Sequence, residues 1–412
     1  MGQMFSYVVG ILVAGLIVFG LHFGMQIASP AYARQITESR VAEKSLDELG
    51  EIIRGGKRTA VIAAVTAVGS GDDQIEKRVK LIAEATANPD RSVQSICQLS
   101  VQRMGDRVKP AVRLLLDSSD EEEVRSACGI IHALGPKGDQ YAEEMFKMMR
   151  EGTTIDRHAA LFSLQNMSPE VLVPGIDLVI EELNDQSFNT QCIACFVLRQ
   201  MGNAAKPATE RLVLLFQEGN VSARSRAAQA LGAIGPVEGY DIPGLLAAKL
   251  VDDEAAVRPT SFIEKSRVME ALGDLGPDAS DHLDKIEMLM QSPQKHCVCE
   301  AALAYYRVSG EADKSIPVLL GEVRKVENRI SAIECIGGMG EAASEAVPAL
   351  LEHLESEDLS LLETTILALK KIGPTAEDAM PKLEKLLENE DFLIAVAAQE
   401  AIDSIKGKSQ DE

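Results

Sequence analysis

The sequence predicts an all-α protein: an α-solenoid of about ten to eleven helix pairs, preceded by one transmembrane helix. Three observations lead there. No Asp, Glu, Lys or Arg occurs before Arg34. Beyond residue 55 an apolar residue, usually followed by Gly, closes a helix-patterned run about every 34 residues. Aromatics are only 4% with no Trp, while Ala, Leu, Glu and Gly recur, a palette that suits helices rather than sheets.

Residues 1–6 read as a short tail and residues 7–28 as the membrane anchor. The 22-residue apolar run, at 1.5 Å rise per residue, crosses a hydrocarbon core of about 30 Å. It exceeds the core of about 7–15 residues typical of an export signal, and nothing basic precedes it, so the reading is a retained, single-pass anchor. The alternative is a cleaved signal ending near residue 33, at Ala31-Tyr32-Ala33, which would export the body. With an anchor, Arg34, Arg40 and Lys44 lean the body toward the cytoplasm, because no basic residue stands on the other side. Residues 29–44 read as a linker.

The repeat occupies residues 45–407. Its anchors are Val68, Met104, Leu134, Met167, Met201, Ile234, Leu275, Val308, Met339, Ile372 and Ile405. Eight have Gly next: Gly69, Gly105, Gly135, Gly202, Gly235, Gly276, Gly340 and Gly373, each expected to end a helix in the left-handed conformation. Three residues before each anchor stands a large, mainly nonpolar residue, from Val65 and Val101 to Leu369 and Ile402. Seven before stands one no larger than Val, as at Cys97, Ala127, Ala227, Ala301 and Ala398. Spacings of 3, 4 and 7 place all three on one helical stripe, and the small residue marks where a neighbouring backbone comes close. A second amphipathic run follows each turn, often opened by Pro: Pro110, Pro174, Pro207, Pro243, Pro317, Pro348 and Pro381. Carboxylates then lead into the next first helix, as in Asp117–Glu123 and Asp252-Asp253-Glu254. Residues 408–412 form a polar tail.

The runs Arg224-Ser225-Arg226-Ala227-Ala228-Gln229-Ala230-Leu231-Gly232-Ala233-Ile234-Gly235 and Val268-Met269-Glu270-Ala271-Leu272-Gly273-Asp274-Leu275-Gly276 resemble the first helix of bacterial HEAT-like repeats, the armadillo/HEAT type of superhelix. The resemblance covers roughly residues 56–407, with Ser45–Arg54 as a capping half-repeat. It departs at Met167, where Ser168-Pro169 replaces Gly, and at Val308-Ser309 and Ile405-Lys406. A 34-residue tetratricopeptide array lacks support, because its Trp-Leu-Gly and Tyr signature is missing.

Chemistry is scarce. Seven cysteines, Cys97, Cys128, Cys192, Cys195, Cys297, Cys299 and Cys335, fall in crowded first helices and read as buried packing thiols. Cys192-Ile193-Ala194-Cys195 lacks the strand that precedes a redox CxxC, and His296-Cys297-Val298-Cys299 has no second ligand pair nearby. His132, His158, His282 and His353 are scattered and read as surface or core filler. No catalytic residue, cofactor-binding residue or metal ligand is assigned. The 41-residue interval between Ile234 and Leu275 carries about eight extra residues in or near Val251–Arg267. Arg258, Pro259, Phe262 and Lys265 there form an apolar-basic patch, expected to be a partner-contact loop.

The 41 Lys+Arg against 63 Asp+Glu leave a net charge of −22, which argues against nucleic acid. The expectation is therefore a non-enzymatic, membrane-anchored scaffold that binds one or more protein partners through a curved, acidic helical surface. What the resemblance implies as the alternative is a chromophore-handling helper, since HEAT-like repeats of this kind are similar to those of phycobilin lyases.

Overall fold

The computed structural model describes residues 41, 43–86, 88, 90–250, 259–291, 297–389 and 391–407. Among them the secondary structure is helical, apart from one isolated antiparallel bridge between Val237 and Tyr240. The expected anchor at 7–28, the tails at 1–6 and 408–412, most of the 29–44 linker and Asp252-Asp253-Glu254 lie outside the described residues. No helix among the described residues is long and apolar enough to cross a membrane. The chain divides into two compact units, residues 1–138 and 139–412.

In the first unit, α1 (Leu46–Gly55) starts at a capping box: the Ser45 N–H donates to Glu48 Oε2 (2.9 Å) and the Glu48 N–H to Ser45 Oγ (3.4 Å). Then come α2 (Arg58–Ser70), α3 (Ile75–Thr86), α4 (Arg91–Met104), α5 (Lys109–Leu116) and α6 (Glu121–Leu134). The anchor-bearing helices α2, α4 and α6 pack in succession, with α3 and α5 as their second helices.

The second unit repeats the plan. It opens with α7 (Ala142–Glu151), α8 (Thr154–Leu164), α9 (Pro169–Leu172), α10 (Ile176–Glu182), α11 (Phe188–Met201), α12 (Thr209–Glu218) and α13 (Val221–Ile234). It continues with α14 (Ile242–Ala247), α15 (Pro259–Leu275), α16 (Leu283–Met290), α17 (Val298–Ser309) and α18 (Ala312–Val323). It ends with α19 (Arg329–Gly338), α20 (Val347–Leu351), α21 (Leu359–Ile372), α22 (Met380–Leu386) and α23 (Phe392–Ile405). The first helices α11, α13, α15, α17, α19, α21 and α23 each pack on the next.

The stripe read from the sequence is the core. Every anchor, every residue three before it and every small residue seven before it is buried, none more than 6% exposed. Glycines two residues before the anchor let successive first helices touch backbone to backbone. At Gly232 a Cβ would stand 2.6 Å from the Ala271 Cα and carbonyl oxygen, so α13 and α15 meet there without side chains between them.

Helix ends follow the predicted frame with instructive exceptions. Seven of the eight predicted glycines have positive φ. Their ψ is not that of the left-handed helix, however: Gly135, Gly202, Gly235 and Gly373 combine φ of 52° to 78° with ψ between −128° and −166°. This region is open essentially to Gly alone. It swings the chain off the helix axis, and in most repeats a 3-10 turn then leads into the second helix. Gly310, where Ser309 replaces the usual Gly, instead adopts the left-handed form (φ 77°, ψ −1°), its N–H donating to the Tyr306 carbonyl at 2.7 Å. The following helix α18 starts at once, so Pro317 lies inside it rather than at its start.

Gly69 corrects the expectation. It sits within α2, and a Cβ there would lie 2.5 Å from Ser100 Cβ, so it serves close approach to α4 and stops nothing. The terminal carbonyls of α2 are satisfied instead by Arg78, 9% exposed, whose Nη1 donates to the Val68 (3.0 Å) and Ala67 (3.3 Å) oxygens.

Gly232→Ala is expected to destabilise the second unit by about 1–3 kcal/mol through overpacking, and Gly235→Ala by a similar about 1–3 kcal/mol through backbone strain. Gly321→Ala, inside α18 with open space around its Cα, should instead stabilise by about 0.4–1 kcal/mol. Thermal unfolding followed by circular dichroism measures all three.

Candidate functional site

The negative charge is not spread evenly. Residues 1–138 hold 16 Lys+Arg and 16 Asp+Glu, whereas residues 139–412 hold 25 and 47, so the whole excess of 22 belongs to the second unit. Part of it is laid out in register. The turns from first to second helix in four consecutive repeats carry Asp278 and Asp281, Glu311 and Asp313, Glu341 and Glu345, and Glu377 and Asp378. All eight are exposed, Asp313 in the first turn of α18; residues 276–282, 340–346 and 373–379 contain no Lys or Arg, while Lys314 pairs with Glu311 at 3.4 Å. Equivalent turns of stacked repeats fall along one edge, which is therefore acidic from α15 to α22.

A second feature lies on the outer face of the first helices, at the positions one, five and eight before the anchor. Here α13 presents Ala233, while its neighbours present Phe196 and Gln200 on one side and Asp274 on the other. Together with Arg199 these line an open groove of about 410 Å³. Because the intervening helix offers only Gly232 and Ala233, Arg199 reaches across it from α11 to α15. Its Nη2 stands 2.7 Å from Glu270 Oε1 and 3.6 Å from Asp274 Oδ2. Gln229 Nε2 donates to Glu270 Oε2 at 2.6 Å, Arg267 Nη1 to the same oxygen at 2.9 Å, and Arg307 Nη1 to Asp274 Oδ1 at 2.9 Å. Ion pairs thus lace α11, α15 and α17, and the amide of Gln229 ties in α13 between them. Burial pushes the Glu270 carboxyl up, but Arg199, Arg267 and Gln229 overcome it and hold the group below its ordinary value. The first unit carries a broader open groove of about 620 Å³, lined in part by Gln74, Lys77, Pro110 and Ala111 and crossed by an Arg107–Asp72 ion pair.

Of the four residues expected in a partner-contact loop, Arg258 lies outside the described residues and Pro259 opens α15. Phe262 and Lys265 are half-buried in the first two turns of that helix. What the sequence reads as a loop running to Arg267 is helix from residue 259, because α15 is 17 residues long where α11, α13 and α21 have 14. Part of the insertion extends a helix, and the rest falls in residues 251–258.

The thiols behave as packing groups. All seven are free and all but the half-buried Cys192 are buried. Cys297 precedes α17 as its N-cap instead of lying within it. Burial pushes the thiols of Cys97, Cys297 and Cys299 up to about 12, and raises those of Cys195 and Cys335 well above the ordinary value, which removes thiolate at physiological pH. Cys192 and Cys195 occupy the interior of α11, away from the helix N-terminus that activates a redox CxxC.

Among the described residues one trio has the donors and spacing to hold a metal ion: His158, Glu182 and Asp185, with one ligand atom from each within 4.8 Å of the others. They come from α8, the last residue of α10 and the turn that follows. None of these contacts, nor the Arg199–Glu270 lacing, was singled out from sequence. Arg199 and Glu270 are 71 residues apart, and the visible signal would have been a small residue, Ala233, at a position where the neighbouring repeats carry Gln200 and Asp274.

The fold and its surface define a helix-pair repeat protein, each repeat burying its stripe against the next. Residues 324–403, from the end of α18 into α23, match the family model described as HEAT repeats. No curated protein matches the sequence. Among solved structures, the complex of CpcE and CpcF of phycocyanin lyase from Nostoc sp. PCC7120 is 20% identical, covering 64% of this chain and 94% of that one, with a TM-score of 0.44. Importin beta is 13% identical over 92% of this chain and 61% of its own, with a TM-score of 0.46. An engineered protein is 18% identical over 88% and 98%, with a TM-score of 0.32.

Glu270→Gln is expected to cost about 1.5–3 kcal/mol at pH 7, since it removes the charge that three donors share. A carboxyl held below its ordinary value of 4.5 stabilises the fold above that pH and loses the contribution as pH falls through the depressed value. The gap between wild type and variant should therefore be full above pH 4.5 and close below it, as urea unfolding across pH would record.

Proposed function

We propose that the protein is a non-enzymatic HEAT-like scaffold that holds a basic segment of a partner protein along the acidic edge of residues 276–379. The single observation that carries this reading is the eight exposed carboxylates recurring in pairs over four successive repeats, of which Glu311 is ion-paired with Lys314. A regular row of one sign offers a partner many weak, matched contacts, speeds its encounter and repels acidic competitors. Ala279, Ala343, Ala346, Ala376 and Ala379 of these turns are buried while the eight carboxylates face solvent, so the charge is free to serve recognition. The groove beside Ala233 adds an aromatic wall, Phe196, near the same first helices.

The reading includes a membrane tether through residues 7–28, with the repeat body on the cytoplasmic side. Its support is the uncharged 22-residue run and the placement of Arg34, Arg40 and Lys44 after it. With the body held at a bilayer, a partner would be gathered at the membrane surface.

Crosslinking in cells, detergent extraction and capture of the full chain test the scaffold. The expected product is a dominant, stoichiometric protein. Its recovery should fall on the order of tenfold when Glu341→Lys, Glu345→Lys, Glu377→Lys and Asp378→Lys are combined, with thermal unfolding little changed. Undiminished recovery would sink the charge-based reading, and recovery of a bound chromophore in place of protein would move it to chromophore handling. Alkaline carbonate washing of membranes tests the tether. The chain should stay in the pellet, its electrophoretic mass that of the uncleaved sequence.

A further inference from the structure

We infer that His158, Glu182 and Asp185 form a binding site for one divalent ion of the zinc class, which staples a first helix to the end of its second helix and to the turn entering the next repeat. The three donor atoms already lie within 4.8 Å of one another, although they come from three different stretches of chain.

Glu182 is the observation that points to a ligand. Its side chain is nine-tenths buried (residue 7% exposed), yet no donor among the described residues hydrogen-bonds its carboxylate. The nearest cation, Arg157 Nε, stands at 3.3 Å, and that N–H is itself buried without a hydrogen-bond partner, so the two are close but poorly aligned. The buried carboxylate is thus left with one ion pair of poor geometry, beside an imidazole and a second carboxylate whose donor atoms lie within 4.8 Å. A metal ion would give it a better-placed partner.

The other two ligands are better prepared. Asp185 Oδ1 accepts the Ser187 N–H at 2.7 Å, which turns Oδ2 toward His158 Nε2 at 3.5 Å. The same nitrogen lies 3.0 Å from the hydroxyl of Thr190, a residue only 2% exposed at the start of α11. The His158 side chain is 34% exposed, which leaves an entry path for an ion. One imidazole and two carboxylates suit zinc better than calcium or magnesium, which take oxygen ligands alone. Zinc–ligand distances of about 2.0–2.2 Å require the three side chains to draw together, Nε2 leaving the Thr190 hydroxyl. Three protein ligands leave the fourth position to water, and Arg157 stays as outer partner to the carboxylate oxygen that does not bind.

The test uses the full chain in detergent, stripped with EDTA and titrated with zinc chloride alone by calorimetry. One equivalent should bind, and the thermal midpoint should rise with excess zinc. His158→Ala, Asp185→Asn and the isosteric Glu182→Gln should each weaken binding at least tenfold while the helical circular dichroism persists. His353→Ala should retain the full equivalent. Wild type that takes up no zinc, or variants at all three positions that bind it with unchanged stoichiometry and affinity, would overturn the assignment.

Discussion

The structure depends on how closely two successive first helices approach. A side chain no larger than Val stands buried seven residues before each anchor, and at Gly232 and Gly337, two before theirs, the backbone of the next first helix comes into contact. A single helix pair cannot bury such a stripe. Stability therefore belongs to the interfaces between repeats, and the outward positions are left without a packing duty. The Arg199–Glu270 lacing and the acidic turns occupy those released positions.

Two kinds of corner connect first to second helices. At Gly135, Gly202 and Gly373 a positive φ with strongly negative ψ breaks the helix and a 3-10 turn carries the chain around. Between α17 and α18 a left-handed Gly310 does the work alone, and α18 gains a front turn that places Pro317 in its interior. The repeat tolerates both because the buried anchor, at 4% exposure or less in Val308 and Met339 alike, holds its place either way.

Much of the fold was legible because periodicity records local geometry. Seven of the eleven anchors, Met104, Leu134, Met201, Ile234, Leu275, Ile372 and Ile405, are the last residue of their helices. The stripe positions were all placed in the core correctly. What could not be read depends on a neighbour. Gly69 looks like a helix stop, but its role is set by Ser100 on α4. The residues around Phe262 look like an insertion loop, yet the helix simply starts earlier. His158 reads as filler until Glu182 and Asp185 are brought to it from 24 and 27 positions away. The lacing from Arg199 requires knowing that two helices on, across Ala233, a Glu faces the same way. Motifs readable along the chain are contiguous, whereas a stacked repeat assembles its polar clusters across layers.

The buried thiols have a practical corollary. Cys97 and Cys128 lie in the first unit, and Cys195, Cys297, Cys299 and Cys335 in the second, each shut away from solvent, and burial shifts all of them but Cys128 toward the protonated state. An alkylating reagent reaches such a sulfur only after its own layer has parted from the next. The molecule thus carries built-in clocks spaced along its length, and the order in which they are labelled would chart which layers unzip first.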